Sequence, residues 1–452
     1  MSISAIGIRL MVLVMTFCAS LEAGGRGSAA GKPDSTTSGF NPLSLFKLSG
    51  EAGFYGELYS ISGRDARRAP STGRIFLRPT LTFMDNFGVS FDLFLSTEGS
   101  AARQQINRIA VHPAWGWGTA HAGDFSPEFS RSTLGGISLR GAGVDLNPGM
   151  LRLGLYGGQT QQAIDAGPYG SVYSRHLVAA KVGYGTEDDG FLDLILVGSK
   201  DNTASLPASV YVKDSVGASA ASDYGLGGSV KPQENIVIGL NSFARAFDGM
   251  LQLRAEAAGS VFTSDLYGEG AKLNSVPGFI ENLFATRVTS SADYSMNLGF
   301  MLNQQSVNVR GNYSYIGPGY ISHGLSSSFN DKRTFDLNLG FNLLDNRVVI
   351  QSNFQTQSDN VNHQKPYTTS GLTYGATASA RPSNDLMLTL NMMRNVVSND
   401  IANDTLMVRS INSSYNATVV WQFQLFDMDN TLTNNYALQM TEDENALRRN
   451  MG

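Results

Sequence analysis

The residue types able to do covalent or metal chemistry are sparse in this chain and scattered along it. His112 and His121 stand close together with Asp124 just after them, and a His/Asp pair can activate water. A His-x-x-Asp spacing is a weak pattern, and these three read as ordinary polar positions on a Gly-rich segment. His176, His323 and His363 are isolated, so no spacing offers a metal its ligands. The stretch 135–138 (GGIS) lacks the G-x-S-x-G frame of a nucleophile elbow. Glu187-Asp188-Asp189 has the charge to hold calcium, but an acidic turn is usually only solvated. The expectation is a protein that is not an enzyme and holds no cofactor or metal.

Ten other charges carry more information: Arg78, Asp92, Arg140, Arg152, Asp193, Arg254, Glu256, Asp293, Arg310 and Asp336. Each falls on the polar phase of an alternating segment. The pattern is plainest in residues 333–358, RTFDLNLGFNLLDNRVVIQSNFQTQS. Phe335, Leu337, Leu339, Phe341 and Leu343 alternate with Asp336, Asn338, Gly340 and Asn342; after the turn residues Asp345-Asn346 the alternation resumes. A period of two places successive side chains on opposite faces of a strand, and Asp-Asn tolerates the left-handed backbone of a tight hairpin. One face is aliphatic and aromatic, the other amide, hydroxyl and charge. At mid-depth in lipid an Arg costs about 2–4 kcal/mol. If the apolar face meets lipid, the ten charges must therefore face a lumen, where they tune ion preference or pair across strands.

The same rhythm runs nearly from end to end. Strands are expected at 46–61, 74–84, 89–96, 105–117, 118–125, 137–146, 150–160, 173–185, 190–200, 234–245, 251–262, 287–302 and 307–316. The hairpin within 333–358 follows, then 368–380, 386–397, 406–426 and 431–440. From about residue 190 short turns alternate with long polar segments at 201–233, 263–286, 317–332, 359–367 and 398–405. Short turns at one end and long loops at the other are the habit of outer-membrane barrels. Nineteen strands can be counted, but single-chain bacterial barrels have even numbers. The expectation is therefore about 18, within 16–20, with the Pro113 region and the last segment the doubtful elements. The fold class expected is all-β, a transmembrane antiparallel up-and-down β-barrel. A soluble all-β protein is the alternative, separable because it would extract without detergent.

Composition agrees. Charged residues make up 16% of the 452, against roughly 25% in a typical soluble domain. There is no internal apolar run long enough for a membrane helix, which leaves a barrel open. A net charge of −5 and the absence of a basic cluster in sequence argue against a nucleic-acid partner. Arg9, the apolar run 10–17 (LMVLVMTF) and small residues at Ala19, Ser20 and Ala23 have the form of a secretory signal. Cleavage after Ser20 or Ala23 removes the single cysteine, Cys18, and with it any disulfide or thiolate chemistry. The expected division is 1–23 signal peptide, 24–45 flexible periplasmic lead-in, 46–440 barrel and 441–452 polar tail.

On these features the chain resembles bacterial outer-membrane β-barrel proteins, most of all uncharacterised large barrels of the Bacteroidetes type. The resemblance rests on the signal peptide, the alternating strands and the turn-loop rhythm over about 46–440. The stretch 123–149, GDFSPEFSRSTLGGISLRGAGVDLNPG, looks like a family motif with no activity attached. The ending TEDENALRRNMG departs from the terminal aromatic that many barrels use as an assembly signal. The resemblance implies an outer-membrane location, lipid and the barrel-assembly machinery as partners, and porin-like passive passage of small polar solutes. The alternative is a non-conducting surface anchor or scaffold in an envelope or secretion complex, working through protein contacts of the loops 201–233 and 263–286.

Overall fold

The computed structural model describes residues 45–445 except 64–68, 85, 100–103, 105, 168–169, 207–229, 273–283, 327–329 and 402–405. The expected signal peptide, all but the last residue of the lead-in 24–45, residues 207–229 and 273–283 of the two longest loops, and 446–452 of the polar tail lie outside the described residues.

The strands of the first half are β1 (Phe46–Leu58), β2 (Ser71–Phe83), β3 (Phe87–Ser96), β4 (Arg108–Trp115), β5 (Gly118–Phe125), β6 (Leu139–Leu146) and β7 (Leu151–Gln161). A small hairpin, β8 (Ile164–Gly167) and β9 (Gly170–Val172), precedes β10 (Arg175–Thr186), β11 (Gly190–Asp201), β12 (Glu234–Ala246) and β13 (Leu251–Thr263). The second half comprises β14 (Ser290–Asn303), β15 (Val307–Ile316), β16 (Lys332–Leu343), β17 (Val348–Ser358) and β18 (Thr369–Ser383). It closes with β19 (Leu386–Asn399), β20 (Arg409–Leu425) and β21 (Met428–Asp443).

All but β8 and β9 belong to one 19-stranded sheet. Each strand in it pairs antiparallel with its neighbours in the chain, β7 passing over the small hairpin to β10. The architecture is the expected all-β, up-and-down one. The strand number is one above the 18 favoured on parity, because both doubtful elements form. Pro113, which has no N–H to give, sits where the β4–β5 ladder skips His112 and Pro113 between Val111↔Ala122 and Ala114↔Thr119. The last strand runs to Asp443, three residues past the expected end. Among the described residues β1 and β21 are the two edges of the sheet, and with an odd number of strands they run in the same direction.

Tight turns join strands at one end of the sheet, and they carry the positive φ angles that Asp, Asn and Gly accept most easily. Asp345 and Asn346 stand at φ 53° and 65°, Phe247 and Asp248 at 54°, Phe426 and Asp427 at 54° and 57°. The hairpin read from 333–358 has the expected register, Leu343 opposite Val348 and Arg333 opposite Ser358. The longer connections gather at the other end.

Side-chain polarity is inverted relative to a soluble protein. On β11, Leu192 and Leu194 are 57% and 54% exposed, while Asp193 between them is 1% exposed. Val178, Val182 and Tyr184 on β10 and Leu240 on β12 are likewise exposed, as are Leu253 on β13 and Leu298 and Phe300 on β14. The opposite face carries Asp193, Asn235, Asn241, Glu256 and Ser260, all buried. A soluble sandwich buries its apolar face; this sheet leaves it bare.

Candidate functional site

What covers the polar face is the chain itself. Residues 126–138, between β5 and β6, fold across it, and they are the core of the 123–149 stretch singled out in the sequence. A tight turn holds their tip: the Phe129 N–H donates to the Leu134 carbonyl at 2.9 Å, and the Ser130 and Thr133 hydroxyls lie 2.9 Å apart. Phe129 packs on Tyr156 of β7, ring centroids 4.9 Å apart, and the Lys181 ammonium lies over the Phe129 ring, 4.9 Å from its centroid. Its site exists because residue 154 is glycine; a Cβ there would lie 2.5 Å from the Phe129 ring. Leu134 is fully buried in an apolar cluster with Leu139, Leu177, Ile195, Val197 and Val237. Burial of one such side chain stabilises by about 1.5–3 kcal/mol.

A second segment follows β15, and its described residues 317–326 lie over the first. The Tyr320 hydroxyl donates to the Ser132 carbonyl, and that of Ser322 to the Thr133 carbonyl at 2.7 Å. The Gly135 N–H donates to the Gly324 carbonyl at 2.8 Å, and Gly135 and Leu325 form a short parallel bridge. Asn235 of β12 fastens this segment to the wall: its amide donates to the Ile321 carbonyl at 2.9 Å, and its side-chain oxygen accepts from the His323 N–H at 3.0 Å. His323 Nδ1 lies 2.8 Å from the Ser199 hydroxyl. Burial, reinforced by the charge of Arg175, pushes the His323 imidazole down to about 3, so it is neutral at pH 7. Asp331, which closes the segment, is held below the usual carboxylate range despite desolvation, by Lys365 and by the Val361 N–H at 2.8 Å.

The ten charges chosen from the sequence lie on the polar phase of their strands, and the structure divides them by partner. Arg78 of β2 bridges Glu51 at 2.7 Å and Asp92 at 3.1 Å. Arg140 of β6 takes Asp124 in a fork, both contacts 2.8 Å. Arg152 of β7 takes Asp193 at 2.8 and 3.1 Å and Glu187 at 2.9 Å, and stacks 4.0 Å over Phe191. Glu256 accepts from the Ser132 hydroxyl at 3.3 Å, Asp293 from the Gly319 N–H at 2.9 Å, and Asp336 from Gln355 at 2.5 Å. Arg254 and Arg310 have no carboxylate partner among the described residues; Arg254 lies 5.5 Å over Phe243, and Arg310 reaches only the Met301 sulfur at 3.9 Å.

The histidine reading is corrected in detail. His112 and His121 do meet, Nδ1 to Nδ1 at 2.9 Å, but the carboxylate beside His121 is Asp145 at 3.4 Å, since Asp124 is taken by Arg140. Sequence reading also missed Arg175, whose fork on Asp201 at 2.7 and 3.0 Å is joined by Gln233, and Arg131, which the inward segment carries. Alternation supplies a signal for Arg175; a segment without periodicity supplies none for Arg131.

From β16 to β21 the polar phase is chiefly amide and hydroxyl, and it bonds strand to strand. Asn391 donates to Thr377 at 2.7 Å and Asn395 to Thr373 at 2.8 Å, and Thr441 donates to Asn412 at 2.9 Å. Neither inward segment makes a hydrogen bond to these inter-strand pairs among the described residues. Over β5–β15 the polar face is thus charged and met by the inward segments, and over β17–β21 it is chiefly amide and hydroxyl.

These features define a β-barrel-type sheet: antiparallel, up-and-down, bare and apolar on one face, polar on the other. No family model matches the chain, and no curated protein does. Among solved structures it is similar to OccK10 (OpdN) of Pseudomonas aeruginosa at 11% identity, over 87% of this chain and 98% of that one, TM-score 0.38. It is also similar to a BenF-like porin from Pseudomonas fluorescens Pf-5, 10% identical over 88% and 98%, TM-score 0.38. Acinetobacter baumannii OccAB3 gives 10% identity over 87% and 92%, TM-score 0.36.

Proposed function

We propose that the mature chain spans a bacterial outer membrane as a β-barrel and lets small polar solutes pass without an energy source. The observation that carries this is the polarity inversion of β11, where exposed Leu192 and Leu194 flank buried Asp193. An exposed row of leucines is stable against hydrocarbon, and the opposite row buries Asp193 in its fork with Arg152 beside Ile195 and Val197, which pack on Leu134 of the inward segment. The N-terminal signal and the resemblance to large Bacteroidetes-type barrels support export to the outer membrane, with lipid and the assembly machinery as the partners met on the way.

The route follows from the division of the polar face. The segments 126–138 and 317–326 narrow the interior along β5–β15. The amide and hydroxyl wall of β16–β21 is left for solvent, and Asn391, Asn395, Thr373 and Thr377 line it. In lipid, unpaired strand edges leave backbone N–H and C=O groups unsatisfied at several kcal/mol each. We infer that β1 and β21 join in parallel to close the barrel.

A non-conducting anchor is the second reading, and one observation favours it: the two inward segments are fastened to each other and to the wall by many hydrogen bonds. Swelling of liposomes carrying the purified protein separates the two. Passive passage predicts swelling in arabinose or sucrose at a rate set by solute size. Insertion without swelling supports the anchor.

A further inference from the structure

We propose that Arg131, Arg254 and Arg310 form a binding site for small organic carboxylates at the edge of the covered half of the interior. The inference deepens the passage reading and rests on it.

The three guanidinium groups line one cavity of about 340 Å³, together with Gln252, Asn312 and Met301. They come from three places. Arg254 is on β13, Arg310 on β15, and Arg131 on the inward segment. Between the two wall arginines runs β14, where Gly299 stands opposite both Arg254 and Asn312 and Met301 stands opposite Arg310. Having no side chain, Gly299 leaves the floor of the cavity open. Arg131 is placed there by its neighbour: Ser132 donates its hydroxyl to Glu256, which is 3% exposed, and its carbonyl accepts from Tyr320.

The contrast with the rest of the polar face assigns the ligand. Arg78, Arg140, Arg152 and Arg175 are each forked or bridged onto carboxylates at 2.7–3.1 Å in the usual geometry of such pairs. Arg131, Arg254 and Arg310 share a cavity and have no carboxylate among the described residues, although two stand near. Glu256 is engaged by Ser132, and Asp336, opposite Asn312 in the ladder, by Gln355. Three like charges in one cavity repel, and an entering anion relieves that repulsion and satisfies their N–H donors. Phe243 and Met301 add an apolar surface beside the guanidinium groups, which suits an organic carboxylate with a short hydrocarbon body better than an inorganic ion.

The test is titration calorimetry of succinate into the full-length protein in detergent, with sucrose as the neutral comparison. The wild type is expected to bind succinate and not sucrose. Arg131→Gln, Arg254→Gln and Arg310→Gln combined should weaken binding by about tenfold or more, and the corresponding three Lys substitutions, which keep the charge and lose the planar fork, should weaken it by less. Heat-modifiable gel mobility shows that each variant is folded, and the Lys variant keeps the test decisive if the Gln variant fails to fold. No succinate binding by the wild type, or binding unchanged by the Gln substitutions, overturns the site. In a planar bilayer under a KCl gradient the wild type should favour chloride, and the Gln variant should lose that preference. Arginine-dependent binding in a protein that never conducts would overturn the passage reading and leave the site standing. Conduction with an ion preference that ignores the three arginines would overturn the site alone.

Discussion

Thr133, at the tip of the inward segment, seats its methyl group against the bare backbone of Gly239 on β12. A Cβ added at 239 would stand 2.4 Å from Thr133 Cγ2, closer than van der Waals contact allows. The wall was left without a side chain where the segment lands, and the fit makes the segment part of the barrel's shape.

Gly239→Leu should therefore dislodge 126–138 without disturbing the ladder, since the strand has room for the new side chain only by displacing the tip. The expected result is larger single-channel conductance with unchanged heat-modifiable mobility. Conductance equal to wild type would show that the segment does not narrow the passage.

The pair Arg152 and Asp193 is the most deeply buried of the fork contacts, with side-chain exposures of 10% and 1%. Removing Asp193 leaves the buried Arg152 with only the exposed Glu187, and breaking a buried pair in this way costs up to about 3–5 kcal/mol. Asp193→Ala should lower the temperature at which the folded gel band is lost by clearly more than Arg78→Ala does, because Arg78 and its partners are partly exposed. A joint Arg152→Met, Asp193→Leu replacement should recover much of the loss. Equal shifts for the buried and exposed sites would contradict the account of the covered half.

The neutral state of His323 makes the fastening of 317–331 sensitive to acid. Its folded value, about 3, lies below the ordinary 6.5. As pH falls through 6.5 the released imidazole gains a proton that the packed one refuses, so the packed arrangement loses stability between about pH 6.5 and 3. Proteolysis within 317–331 should rise as pH falls over that window with an acid-tolerant protease. His323→Gln keeps a bond to Ser199 and should flatten the rise. A wild-type profile already flat from pH 7 to 4 would refute it.

How much of this was legible in the sequence depends on the range of the contacts. Alternation is local, so Phe335–Leu343 and Val348–Ser358 announced their strands and even their turn at Asp345-Asn346. The parity argument then subtracted a strand that local pattern had supplied, since Pro113 breaks only a part of one ladder. The charges on the polar phase were found by the same alternation. Their partners were not: Asp124 and Asp145 are equally good mates for a histidine on paper, and strand register gives the first to Arg140 and the second to His121. The inward segments were out of reach altogether. Thr133 meets Gly239, Ser132 meets Glu256 and Tyr320, and nothing periodic in 126–138 points to residues more than a hundred positions away.

Closure of the barrel has its own test, because Cys18 is the single cysteine of the sequence and Cys18→Ser gives a cysteine-free background. Cysteine placed at Phe54 on β1 and, in turn, at Leu432, Tyr436, Leu438 or Met440 on β21 should give one disulfide-linked pair in the native membrane, set by a single parallel register. Linkage between molecules and never within one would instead make β1 and β21 a seam between copies.

The measurement that bears most directly on the central claim is the single-channel current of the purified, heat-modifiable protein in a planar bilayer. Steady openings, with an anion preference that falls when Arg254 and Arg310 are replaced by Gln, are the result expected of a barrel whose open half passes solutes along an arginine-marked edge. Protein that folds and inserts yet carries no current would contradict it.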